Sequence, residues 1–246
     1  MMTVVDKKYN FLKPIKTTNL VRLGRPHDGG YVVDSEIIKE CNTLITFGLG
    51  SDWSFEQDYI KKNKKIKIFI YDHTVSMIPY VKDIIKYLKR FLTFRGTYES
   101  VSNRIKYLLN LKKFLNQKNV NYFKEKITFP IKDKIDTDVQ KAFSRVNDSG
   151  NIVLKCDIDG DEYKIIDEIL SHSAKIKMLI FEFHLIDNNE ENFYNSIKKI
   201  LSKFDIICDG TDNYETRYLI NDFCVKNKKI LISSAISKFD GQLMKF

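Results

Sequence analysis

Leu154-Lys-Cys-Asp-Ile-Asp-Gly-Asp-Glu-Tyr163 is an apolar run that breaks into acidic and glycine positions and then becomes an amphipathic helix. The junction places carboxylates at the open end of a strand. In an open, mostly parallel α/β sheet the crevice beyond the strand C-termini is where ligands bind, so Asp157 and Asp159 are expected to face a functional cleft. Strand and helix signals alternate on either side of this stretch, as in a parallel sheet covered on both faces. Thr43–Phe47 reads as a strand ending in Gly48-Leu-Gly50, and Ser54–Lys62 as a helix with Ser54 and Gln57 spaced as a capping box. A strand over Ile66–Tyr71 ends at Asp72, and helices follow over Ser76–Leu92 and about Ser100–Asn116. The apolar face of the first of these carries Ile78, Val81, Ile84, Ile85 and Leu88. Strands near Lys126–Phe129, at Ile152–Cys156 and at Lys177–Phe183 alternate with helices over Thr137–Arg145, Tyr163–Leu170 and Glu191–Ser202. Phe204–Cys208 and Lys229–Ser234 supply two last strands, placed to pair antiparallel at one edge. The expectation is a Rossmann-like, seven-stranded, mostly parallel sheet with helices on both faces. Residues 41–246 would form one compact domain, with residues 1–40 as an arm or hairpin packed on it.

Composition narrows the classes. A chain of 246 residues with 43% hydrophobic content can bury a sizeable core, and no Pro/Gly/Ser-rich linker divides it. No apolar stretch approaches the roughly 18 residues that span a bilayer, and the N-terminus lacks the apolar core of a signal peptide. A cytoplasmic protein without a membrane span is expected. Cys41, Cys156, Cys208 and Cys224 are far apart in or beside apolar segments, which reads as reduced core thiols rather than a zinc or redox set. The net charge of +9 invites a nucleic-acid partner, but the lysines are scattered through every element. The densest run, Lys61-Lys-Asn-Lys-Lys65, falls at a solvated corner, so no nucleic-acid partner is expected. A homo-oligomer is a candidate assembly.

Two features point to an adenosyl group. Gly48-Leu49-Gly50 lets backbone approach a ligand just before a helix N-terminus. Asp72 follows Gly50 by about 20 residues, the spacing at which a strand-end acid reaches ribose hydroxyls. A tight turn and a helix cap are the plainer explanations of each. The loop lacks the third glycine of a dinucleotide site and carries Asp52, which would repel a pyrophosphate but not a sulfonium. That contrast favours methyl transfer over hydride transfer.

Five blocks taken together resemble the FkbM-type and related class I methyltransferases. They are Arg22-Leu-Gly-Arg-Pro-His-Asp-Gly-Gly-Tyr-Val-Val33, Phe47-Gly-Leu-Gly-Ser-Asp-Trp-Ser-Phe-Glu56, Tyr71-Asp-His-Thr74, Leu154–Tyr163 and Phe181-Glu-Phe-His184. The resemblance implies S-adenosylmethionine as cofactor and O-methylation of a saccharide or nucleotide-linked sugar, as in bacterial capsular polysaccharide synthesis. It implies cofactor contacts from Gly48, Gly50, Ser51, Asp72, His73 and Asp157. The acidic block has Asp159 where the family more often has Glu. Its Ile-Asp-Gly-Asp segment also resembles that of metal-dependent sugar O-methyltransferases. Cys208-Asp-Gly-Thr-Asp-Asn-Tyr214 departs from the His-rich Asn-Asn segment that relatives often carry there. Two alternatives stand beside this reading: a methyltransferase of a small phosphorylated metabolite, and a Rossmann-like binding domain without catalysis.

The chemistry of methyl transfer needs a hydroxyl deprotonated during attack. Asp157, Asp159 and His184 are the catalytic candidates, with His184 as general base. Asp157, Glu182 and His184 are candidate ligands for Mg2+ or Mn2+, because clustered acids repel one another without a cation between them. The plainer explanations are helix capping by Asp157 or Asp159 and a structural His184 bonded to a neighbouring acid. Arg22, Arg25, Asp28 and Tyr31 are candidate substrate contacts, set against a hairpin built on the Asp28-Gly-Gly30 turn that merely packs on the sheet.

Overall fold

The computed structural model describes residues 19–26, 30–146, 150–185, 189–209, 214–237 and 240–245. The chain divides into two compact units, Asn19–Leu185 and a second built on residues 186–246. Each unit closes its own sheet over its own core, so no linker is needed to mark the boundary.

The first unit opens with an antiparallel hairpin, β1 (Leu20–Gly24) and β2 (Gly30–Asp34), which leads into α1 (Ser35–Glu40). Asp34 caps α1 by accepting from the amides of Glu36 and Ile37. β3 (Thr43–Phe47) is buried at every position, as a strand covered on both faces must be. α2 (Ser54–Lys62), β4 (Lys67–Tyr71), α3 (Met77–Leu92), α4 (Tyr98–Leu115) and β5 (Val120–Phe123) follow. The Ser54–Gln57 capping box does not form: Trp53 is the cap residue, and Ser54 Oγ accepts from the amide of Arg25 instead. α3 starts after Ser76 and α4 after Thr97, each hydroxyl accepting from the first turn.

Four further strands and two helices complete this unit. β6 (Lys126–Ile127) and β7 (Asp136–Thr137) make a short parallel ladder of their own, so the strand expected near Lys126–Phe129 does not join the main sheet. Its place at the sheet edge is taken by β5. α5 (Val139–Ser144), β8 (Ile152–Cys156), α6 (Glu162–Ser171) and β9 (Ile176–Phe181) close the unit. The main sheet is five-stranded and wholly parallel, in the order β5-β4-β3-β8-β9. Growth from β3 runs outward through β4 and β5, then restarts on the other side with β8 and β9. Strand order therefore reverses between β3 and β8, and a crevice opens beyond their C-terminal ends. Gly48 and Asp157 stand there.

The second unit contains α7 (Glu190–Lys203), β10 (Ile206–Asp209), α8 (Tyr214–Asn227), β11 (Ile230–Ser237) and β12 (Asp240–Lys245). Its three-stranded sheet is separate from the first, which corrects the seven-stranded expectation to a five-stranded parallel sheet and a smaller mixed one. β10 and β11 pair parallel, from Ile206↔Ile230 to Asp209↔Ser233, and β11 pairs antiparallel with β12. The antiparallel edge expected for the first two is excluded by connectivity, because the 14-residue α8 lies between them and a helix-length crossover returns the chain in the same direction. Leu201, Ile207, Ile220, Cys224 and Leu231 form its core. Cys41, Cys156 and Cys224 are buried and belong to no disulfide. No helix among the described residues is long and apolar enough to cross a membrane.

Candidate functional site

The crevice at the β3/β8 switch gathers a histidine and several carboxylates. β8 ends in Cys156 and delivers Asp157, whose amide donates to the Phe47 carbonyl at 2.9 Å. β9 ends in Phe181, and the Glu182 amide donates to the Cys156 carbonyl at 2.9 Å, continuing the ladder one residue past the strand. Alternation then puts Glu182 and His184 on one side. His184 Nε2 stands 3.6 Å from an Asp157 oxygen, 3.6 Å from an Asp159 oxygen and 3.9 Å from a Glu182 oxygen. Those separations are too long for hydrogen bonds. They suit a ligand set around a small ion, and one donor atom each from Asp157, Glu182 and His184 lies within 4.8 Å of the others.

The other ring nitrogen is fixed. His184 Nδ1 is 2.6 Å from Glu162 Oε1, and Glu162, in the first turn of α6, is fully buried. Its second oxygen, Oε2, has no hydrogen-bond partner among the described residues. A buried carboxylate behind an imidazole sets the tautomer and turns Nε2 toward the cleft, the arrangement that orients a metal-bound histidine. Burial works to lower the His184 pKa, but the hydrogen bond and charge of Glu162, with Asp157 and Glu182, overcome it and hold the pKa above the ordinary value. Tyr31, on β2, closes the other side: its hydroxyl lies 3.0 Å from Asp157 Oδ2 and 2.8 Å from Glu182 Oε2. Burial and the two facing carboxylates push its pKa far up, so it stays a protonated donor. Lys155 Nζ, buried on β8, approaches the same Asp157 oxygen at 3.5 Å and donates to the Gly48 carbonyl at 3.3 Å.

The remaining residues singled out from the sequence fall elsewhere. Asp72 is buried, and both its oxygens are occupied. Oδ2 accepts from the amides of Leu49 and Gly50 at 2.8 Å each, and Oδ1 accepts from the amide and hydroxyl of Thr74 and the amide of Val75. A carboxylate so engaged braces the glycine loop and the turn after β4. Burial tends to raise its pKa, but these bonds hold it below the ordinary range. The bonds stabilise above the unfolded-state pKa, and that contribution is lost as pH falls through the lower folded value. Asp72→Ala is expected to cost about 2–4 kcal/mol in urea unfolding at neutral pH and much less in strong acid. An unchanged midpoint would remove this role.

Gly48 and Gly50 both have positive φ, but only Gly50 faces open space. Ser51 is exposed and its carbonyl accepts from the Tyr107 hydroxyl, while His73 is partly exposed. Asp159 has a left-handed backbone, and its side chain is 94% exposed, which leaves it at the rim. The Arg22–Tyr31 block divides. Tyr31 enters the acid–histidine cluster, whereas the Arg22 guanidinium donates to the Arg25 carbonyl and Arg25 pairs with Asp52 at 3.3 Å. Arg25 lines a different cleft of about 240 Å3, with Asp52, Trp53, Gln57 and Tyr107. Asp28 lies outside the described residues. Sequence reading missed what Lys155 contributes and the link from Glu162 to His184; Glu162 stands out only as one more acid in the block.

Comparison with known proteins changes the reading of activity. Residues 169–246 match the ThiF family. The chain is 49% identical over 55 residues to a probable molybdopterin-synthase adenylyltransferase of Pyropia yezoensis, covering 22% of this chain and 14% of that protein. It is 38% identical over 89 residues to the protein of the same description in Porphyra purpurea, covering 34% and 23%. It is 37% identical over 75 residues to the adenylyltransferase and sulfurtransferase MOCS3 of Drosophila persimilis, covering 30% and 17%. The chain thus spans between 14% and 23% of the length of these relatives. No solved structure matches.

These matches overturn the FkbM-type methyltransferase expectation. S-adenosylmethionine as cofactor, saccharide O-methylation, capsular polysaccharide synthesis and the two alternative readings fall with it. Cys208-Asp-Gly-Thr-Asp-Asn-Tyr214, the segment that departs from the methyltransferase pattern, lies inside the matched region. So do Glu182 and His184, whereas Tyr31, Gly48, Asp72 and Asp157 lie before it.

Proposed function

We propose that the second unit supports adenylyl transfer from ATP to a protein acceptor of the sulfur-carrier kind. The observation that carries this reading is the similarity of residues 169–246 to the ThiF family and to proteins described as adenylyltransferases. The backbone agrees with a nucleotide site. β10 and β11 are parallel, α8 crosses between them, and Asp209 is the last residue of β10, immediately before the 210–213 segment and the N-terminus of α8. Strand end and helix start are where α/β units bind phosphates, and Arg217 in the first turn of α8 adds a guanidinium suited to phosphate oxygens. An acid at the strand end can hold the cation that accompanies a triphosphate. In the reaction an acceptor oxygen bonds to the α-phosphorus as the bond to pyrophosphate breaks, and pyrophosphate leaves.

The test is pyrophosphate release by the chain given ATP, Mg2+ and a sulfur-carrier protein. Release that needs the carrier, with Asp209→Asn slower by about 100-fold, is expected. If calorimetry detects no ATP binding and no pyrophosphate forms, this reading fails.

For the first unit we propose a divalent-cation site made by Asp157, Glu182 and His184, with Glu162 behind the imidazole and Tyr31 donating to the carboxylates. The fully buried Glu162, one oxygen on Nδ1 and the other unpartnered, supports it. A cation there would neutralise acids that Lys155, 3.5 Å from Asp157, offsets only in part.

A further inference from the structure

The helical pair α3–α4 presents a surface that neither proposed site uses. α3 buries none of its residues, although its sequence is two-faced. One flank leans on α4: the Tyr80 and Tyr107 hydroxyls are 3.3 Å apart, and the Arg104 guanidinium lies over the Tyr87 ring. The adjoining flank, Ile78, Val81, Ile85, Leu88 and Leu92, is between 43% and 67% exposed, and its alternating steps of three and four make one continuous stripe. Lys82, Lys86 and Lys89, all exposed, run along its border. From Met77 to Arg95 the basic residues are Lys82, Lys86, Lys89, Arg90 and Arg95, against Asp83 as the single acid. At the helix end Phe94 follows the cap residue Thr93 with φ 57° and is 99% exposed. Glycine is the residue favoured at that left-handed position, so an aromatic there accepts backbone strain without any packing in return.

We propose that α3 and Phe94 form a docking surface for an anionic lipid bilayer, with the helix lying in the interface. An aliphatic stripe edged by lysines and ending in an exposed aromatic matches acyl chains beneath acidic headgroups. Charge decides against a second copy of this chain, because two such faces would bring rows of like charge together. The face is too short and too charged to span a membrane; it binds from one side.

The experiment is co-sedimentation of the full chain with vesicles of phosphatidylcholine alone and of phosphatidylcholine with about a quarter phosphatidylglycerol. Binding is expected to the anionic vesicles, weakened severalfold by high salt. It should fall about tenfold or more in Ile85→Glu/Leu88→Glu and in Lys86→Glu/Lys89→Glu, and measurably in Phe94→Gly, which relieves the strained backbone and so keeps the fold. Circular dichroism verifies that each variant is folded. Absence of binding, equal binding to both vesicle types, or folded variants that bind like the parent would each overturn the proposal. So would a dimer of the parent chain that Ile85→Glu/Leu88→Glu converts to monomer, since the face would then be a contact between copies.

Discussion

Gly48→Ala is expected to unfold the first unit or to destabilise it by more than about 4 kcal/mol. Two causes act together. Gly48 has φ 80°, a left-handed conformation that already disfavours a side chain. A Cβ built there would overlap the Asp157 carbonyl oxygen and stand 2.7 Å from its carbon, and neither belongs to a side chain that can swing away. The obstacle is backbone at the end of β8, itself held by the Asp157 amide on Phe47. Relief would require prising β3 from β8 at the point where strand order reverses. The control is Gly50→Ala, which also has positive φ but meets nothing within 4 Å, and should cost only about 1 kcal/mol. Chemical denaturation of both variants checks the contrast; equal, small losses would show that the close approach does not exist in solution.

Glu162→Gln is expected to weaken divalent-cation binding in the first unit by about 10- to 100-fold while leaving secondary structure intact. The substitution keeps size and hydrogen bonding but removes the charge behind the imidazole, so it reports on orientation and basicity rather than packing. Co2+ is a suitable probe, because its visible absorption reports coordination, and Zn2+ should displace it. The pH dependence has a definite sign. Cation and proton compete for His184 Nε2, and the pKa of His184 is raised, so affinity should climb as pH rises through a value above the ordinary histidine range and be weak below it. Stability without the cation runs the other way. The protonated imidazole among its acids stabilises fully below the unfolded-state pKa, and that contribution is lost as pH rises through the folded value. Asp157→Ala should abolish Co2+ binding. A parent chain with no Co2+ spectrum, or one whose Asp157→Ala variant binds as tightly, would remove the site.

Much of the first unit could be read from residues alone because its signals are local. The apolar runs at Thr43–Phe47 and Ile152–Cys156, each followed by glycine or acid, mark strands and crevice together. Ser76 fixes the start of α3 because its hydroxyl caps the neighbouring turn. What escaped the sequence was set by partners far along the chain. Asp72 reads as a ligand-binding acid, and nothing local in the sequence shows that the amides of Leu49 and Gly50 donate to it. Arg25 and Tyr31 are neighbours in sequence, yet one turns to Asp52 and the other to Asp157. The activity is not legible for a different reason: the blocks that suggest methyl transfer end at His184, whereas Cys208–Tyr214, which departs from that pattern, lies in the region that matches the ThiF family.

Two sheets closed over separate cores mean that no single melting temperature belongs to this chain. Heat or denaturant should register each core as its own cooperative step. ATP and Co2+, added in turn, are expected to raise the step of the unit that binds each, and so to label the transitions.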